Sequence, residues 1–95
     1  MKYIVITAQV VGNEKEWAIE HYWDGRQFDN RPAAVSHGLK TRGSDDFNIG
    51  MINKAGALHS IWWMDEHLHE PPETLRDIGQ EIGLPATSAA KSSSL

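Results

Sequence analysis

His67-Leu68-His69, with Asp65, Glu66 and Glu70 around it, is the densest group of chemistry-bearing side chains in the sequence. On an extended segment, side chains two apart point the same way, so two imidazoles and a carboxylate could converge on a zinc ion. The spacing fixes no third ligand, however. A polar connection leading into a helix accounts for the same residues, because acids favour a helix N-terminus. No metal site and no cofactor is therefore expected, with His67 and His69 the residues nearest to forming one.

Acid–base work near neutral pH would need histidine, and His21 and His59 both fall on the apolar side of their strands. A histidine at a core margin with one satisfied hydrogen bond explains each equally well. His37 marks the edge of a helical apolar stripe. Ser36-His37 and His59-Ser60 are sequence neighbours, and neighbours on a strand point apart. Neither serine sits in a G-x-S-x-G turn. Nothing in these residues requires an enzyme, and a non-enzymatic role is the expectation.

Gly38 to Ser44, G-L-K-T-R-G-S, holds phosphate-loop ingredients without the G-x-x-x-x-G-K-[ST] order, and it begins at a helix end, where anions are repelled. Lys40 and Arg42 there read as partners of the helix dipole. Nucleic-acid binding, or ribonuclease-like chemistry with His59, would use Arg26, Arg31, Lys40, Arg42 and Lys54 as phosphate contacts beside a stacking aromatic. The net charge of −4 opposes general phosphate affinity and makes this the alternative rather than the main reading.

The chain has 95 residues, 40% of them hydrophobic, which suits one small globular domain. It has no cysteine and four tryptophans, so a packed core rather than a disulfide or thiolate site must hold it together. Basic residues dominate the middle, whereas Asp65, Glu66, Glu70, Glu73, Asp77 and Glu81 face only Arg76. The apolar start is short and broken by Thr7 and Gln9, unlike a secretion signal, and no stretch is long enough to span a bilayer. A soluble, cytoplasmic protein is expected.

The elements that must position these groups follow from periodicity. Residues 2–11 alternate as a strand, with Ile4, Ile6, Ala8 and Val10 on an apolar face. Glu16 to Trp23 returns after Gly12-Asn13-Glu14-Lys15 with Trp17, Ile19, His21 and Trp23 on the matching side, pairing Val10 with Trp17 and Ile4 with Trp23. Asp24-Gly25 suits a two-residue type I′ turn into a short third strand, Arg26 to Phe28, with Phe28 beside His21. Asp29 caps a helix with Pro32 in its first turn and Ala34, Val35, Gly38 and Leu39 as its stripe, ending near Arg42 with Gly43 as the stop.

Asp45 to Asp65 reads as a second hairpin. Its turn, Asn53-Lys54-Ala55-Gly56, places Gly56 in the left-handed region, where only glycine goes without steric cost. That register pairs Asn53 with Ala57 and Ile52 with Leu58, and continues to Ile49 with Ile61 and Phe47 with Trp63. Pro72 opens a second helix carrying Leu75, Ile78 and Ile82, and Gly83-Leu84 ends it. Residues 1–85 form one domain, and 86–95 read as a disordered tail.

The expected fold is α+β: an antiparallel sheet of four to five strands in the order β-β-(β)-α-β-β-α, with both helices packed on one face as a two-layer sandwich. The opposite face then shows Tyr3, Val5, Tyr22, Ile52, Leu58, Trp62 and Met64. An apolar patch of that kind points to a protein partner or a homodimer, since Trp, Tyr and Met are interface types. In this reading Trp63 lies beneath the helices and Trp62 looks outward.

Overall fold

Ile4, Val5 and Ile6 are consecutive residues of one strand and all three are buried, which requires cover on both faces of the sheet. The computed structural model describes residues 1–42 and 47–84. Within them lie β1 (Lys2–Gly12), β2 (Trp17–Tyr22), α1 (Arg31–Arg42), β3 (Phe47–Ile52), β4 (Leu58–Trp63), β5 (Glu66–Leu68) and α2 (Pro72–Glu81). The strands form one antiparallel sheet in the order β2-β1-β3-β4-β5. The fold is thus α+β with the expected order of elements. The predicted stop at Gly43, the start of the second hairpin at Asp45 and Asp46, and the tail 86–95 lie outside the described residues.

The two helices do not share a face. Ile4, Ile6, Ile52, Leu58 and Ile61 pack with Leu75, Ile78 and Ile82 of the α2 segment and with Leu84. Val5, Phe47 and Ile49 pack with Ala34 and Val35 of α1 on the other side. The single-face expectation fails because β1 and β3 are apolar on both sides, and one layer of helices could have covered only one of them. No described helix is long and apolar enough to cross a membrane.

The central turn forms as its sequence dictates. The Asn53 N–H donates to Ala57 O at 3.0 Å, Gly56 takes φ 84°, and the Asn53 side chain accepts from the N–H groups of Ala55 and Ala57. Ile52 then pairs with Leu58 as expected, but Met51 pairs with Ser60, so His59 is an unpaired bulge. From there on every side chain of β4 changes face: Gly50 meets Ile61 and Ile49 meets Trp62. Trp62 joins the α1-side cluster, and Trp63, expected in the core, is 45% exposed.

Other local expectations shift by a residue or two. β1 and β2 pair Val10 with Ile19 and Gly12 with Trp17, two residues from the expected register, which keeps each side chain on its face. Asn30 rather than Asp29 caps α1, its Oδ1 accepting from the Ala33 N–H at 2.8 Å, while Asp29 pairs with Lys2. Asp24-Gly25 turns with the Arg26 N–H on the Asp24 carboxylate at 2.9 Å. The third strand shrinks to one bridge between Phe28 and Tyr3, on the α1 side, not beside His21. The end of α2 is the expected motif: Leu84 N–H reaches Gly79 O at 2.8 Å, Gly83 N–H reaches Gln80 O at 3.2 Å, and Gly83 takes φ 89°. The polar connection after Met64 is not a loop throughout, since Glu66–Leu68 adds β5 to the sheet edge.

Two helical glycines should respond oppositely to alanine. A Cβ on Gly38 would lie 2.4 Å from the Phe47 ring, whereas one on Gly79 would meet only Leu58 and Leu84 Cβ atoms at 3.6 and 3.9 Å. Gly79→Ala is expected to raise stability by about 0.5–1 kcal/mol through backbone entropy. Gly38→Ala is expected to lower it by about 1–3 kcal/mol through overpacking, despite the same helical gain. Urea midpoints for the two variants check the pair.

Candidate functional site

α2 has ten residues and β1 eleven, so the helix spans about 15 Å and the strand about 36 Å. α2 meets β2 only at its inner end, where Glu81 accepts from the His21 backbone N–H and lies 3.3 Å from His21 Nδ1. Beyond that point the β1–β2 hairpin is bare on this side. Val10, Ile19 and Trp17 occupy consecutive same-face positions there and are 65%, 50% and 62% exposed. The alternation that places them on the apolar face is right. What it omits is helix length, a sequence-visible signal that the outer third of the arm has nothing above it.

β2 is also an edge strand. Its His21 N–H turns outward to Glu81, so by alternation Trp17 and Ile19 also turn their N–H and C=O groups away from β1. The segment W-A-I-E-H-Y carries no proline and no lysine, the usual means by which an edge is blunted. An apolar patch and an open backbone edge therefore coincide at the tip of one hairpin.

The seven residues expected on an outer sheet face do not form one. Val5 lies beneath α1, and Ile52 and Leu58 lie in the α2-side core, at 5%, 4% and 3% exposure. Tyr3, Trp62 and Met64 are half-buried against the α1-side cluster, and only Tyr22 is well exposed. Two causes combine: helices cover both faces, and the His59 bulge moves Trp62 to the side opposite Leu58. The Tyr22 hydroxyl donates to Glu20 at 2.6 Å, and that hydrogen bond holds its phenol above the ordinary range.

The five basic residues are not gathered either. Lys54 sits in the β3–β4 turn, at the end of the sheet opposite the β4–β5 turn that Arg31 engages. Arg26 lies in the loop after β2, and Lys40 and Arg42 are in the last turn of α1. Arg31 is committed within the fold. Its Nη1 donates to Met64 O at 2.8 Å and to Asp65 Oδ1 at 2.9 Å, and its guanidinium lies 4.3 Å from the Trp62 ring centroid. Met64 takes φ 54°, unusual for any residue with a Cβ, and Arg31 clamps the turn that holds it there.

Two polar groupings complete the picture. His37 Nε2 lies 3.0 Å from Asp24 Oδ2, and both line a cleft of about 260 Å³ with Thr7, Thr41 and Arg42. The sequence presents Asp24 only as a turn residue and His37 only as a helix edge, because thirteen positions separate them. Partial burial opposes ionisation of Asp24, but the Arg26 N–H and His37 outweigh it and hold its carboxyl below the ordinary value of 3.8. At the end of β5, the expected same-side geometry of His67 and His69 is realised, with their Nδ1 atoms 3.1 Å apart and His67 against Trp62. Among the described residues no group of three or more potential metal donors comes together.

Arg31→Ala should cost about 1–3 kcal/mol, since it removes a charge-assisted bond to a partly buried carbonyl and the stack on Trp62. Arg31→Lys should recover little of this in the same denaturant series, lacking the planar fork. For Asp24, a pKa lower in the folded than the unfolded chain gives stability that is complete above the unfolded value and lost as pH falls through the folded one. Asp24→Asn should therefore narrow the stability difference between neutral pH and about pH 3. Denaturant midpoints at the two pH values measure it.

No protein-family model, curated protein sequence or solved structure matches this chain.

Proposed function

We propose that the protein is a non-enzymatic interaction domain that pairs with a second copy of itself through the outer part of β2. The observation that carries this reading is the exposure of Val10, Trp17 and Ile19 on one face beside an unblunted strand edge. In an antiparallel pairing about a two-fold axis, Trp17 stands opposite the partner's Ile19, and each such couple exchanges backbone hydrogen bonds. The apolar side chains then become cross-strand neighbours, the unit of stabilisation in a sheet. Glu81 on the His21 N–H stops the pairing from running inward, which supports a register confined to the hairpin tip.

The other sheet edge is a poorer template. β5 has three residues, Glu66, His67 and Leu68, and two prolines follow shortly after, at 71 and 72.

Sedimentation equilibrium over a wide concentration range is expected to show a reversible dimer. Trp17→Lys and Ile19→Lys should each weaken it at least about tenfold while leaving thermal stability close to that of the parent, because both sites are solvent-exposed in one chain. Amide exchange at Trp17 and Ile19 should slow as concentration rises. A chain that stays monomeric at millimolar concentration, or a dimer indifferent to both Trp17→Lys and Ile19→Lys, would overturn the reading.

A further inference from the structure

We infer that His67 and His69 form a two-point binding site for a late first-row divalent cation such as Ni²⁺, Cu²⁺ or Zn²⁺. The two Nδ1 atoms are 3.1 Å apart, with the rings nearly perpendicular at 86° and their centroids 4.3 Å apart. Two imidazole nitrogens bound side by side to one ion at about 2.0–2.1 Å stand about 2.8–3.4 Å from each other, for bond angles between a right angle and the tetrahedral value. The observed separation lies within that interval before any metal enters. It arises from extended geometry, since His67 in β5 and His69 just past its end are two residues apart and present their side chains to one side.

The pair is held in place by its neighbours. His67 lies opposite Trp62 in the sheet, with ring centroids 4.8 Å apart, and the Trp62 indole N–H donates to Ser60 Oγ at 3.3 Å. Arg31 covers the same indole and is itself paired with Asp65. The two Nδ1 atoms lie within hydrogen-bond reach of each other. With each ring in the tautomer that carries its hydrogen on Nε2, both Nδ1 lone pairs face the ion. Imidazole donors select copper, nickel and zinc over magnesium and calcium, which prefer oxygen. Glu66 and Glu70 flank the histidines in sequence and add negative potential for a dication. With two protein donors the ion keeps open positions, so it can take a further ligand from solution or from a bound molecule.

This inference is independent of the dimer, because β5 is at the edge of the sheet opposite β2. Titration of the full chain with Ni²⁺, followed by calorimetry and by tryptophan fluorescence, should show saturable binding of one ion per chain and quenching reversed by a chelator. His69→Gln, at an exposed position, and His67→Gln should each reduce affinity at least tenfold. His59→Gln, an equally exposed histidine on the β4 bulge, should not change it. Trp62→Phe should remove most of the quenching with affinity retained. Affinity unaffected by His67→Gln and by His69→Gln, or no saturation at millimolar Ni²⁺, would overturn the site.

Discussion

The apolar character of β1 and β3 on both of their faces is the constraint from which the rest of this architecture follows. These strands are at the middle of the sheet, and Ile4 and Ile6 point one way while Val5 and Ile49 point the other. Each face must be removed from water, so the single helix that follows the first hairpin and the single helix that ends the described chain take opposite sides. The cost is two thin cores in place of one thick one. Small residues make that workable at the points of closest approach: Gly38 lies against the Phe47 ring, and Gly50 leaves the space that Leu58 and Ile6 fill.

The bulge at His59 lets one strand serve both cores. Without it, Leu58, Ser60 and Trp62 would share a face, and so would Ile61 and Trp63 with His59. With it, Leu58 and Ile61 both reach the α2 side, and Trp62 reaches the α1 side, where Arg31 stacks on it. Arg31 also fixes the Met64–Asp65 turn, which in turn sends the chain back as β5 and puts His67 beside Trp62. One unpaired residue thus determines which indole is enclosed, and it leads through the turn to the placement of the histidines.

Features that depend on a few adjacent residues were legible in the sequence. The Asn53–Gly56 turn, the glycine end of α2 and the placement of His67 and His69 on one side all form as their local chemistry demands. Features decided by distant parts were not. Strict alternation through L-H-S-I-W-W hides a bulge, because the gain lies in which core receives Ile61 and Trp62, not in the strand itself. The second face of β1, with Thr7 and Gln9 in it, looks too polar to bury, yet Val5 is at its centre where α1 crosses. Asp24 and His37 meet only because the loop after β2 folds back along α1. The outer-face patch read from sequence dissolved for these reasons, and Val10, Trp17 and Ile19, read as core, became the exposed group.

That exchange has a physical logic. A strand gains about 3.3 Å per residue and a helix about 1.5 Å, so a strand of β1's length outruns any helix this chain can place above it. The surplus could have been polar, as it is where Glu14, Lys15 and Glu16 form the turn, but on the α2 side it is Val10, Trp17 and Ile19. On the same strand the carboxylate of Glu81 occupies the outward N–H of His21 and stops there, so the backbone edge opens at the position where helix cover ends. Apolar surface and unpaired backbone are each tolerable alone at a protein surface. Their coincidence on Trp17 and Ile19 makes them one surface, offering hydrogen bonds along its edge and tryptophan beside them, and strand addition is the mode of contact that uses both.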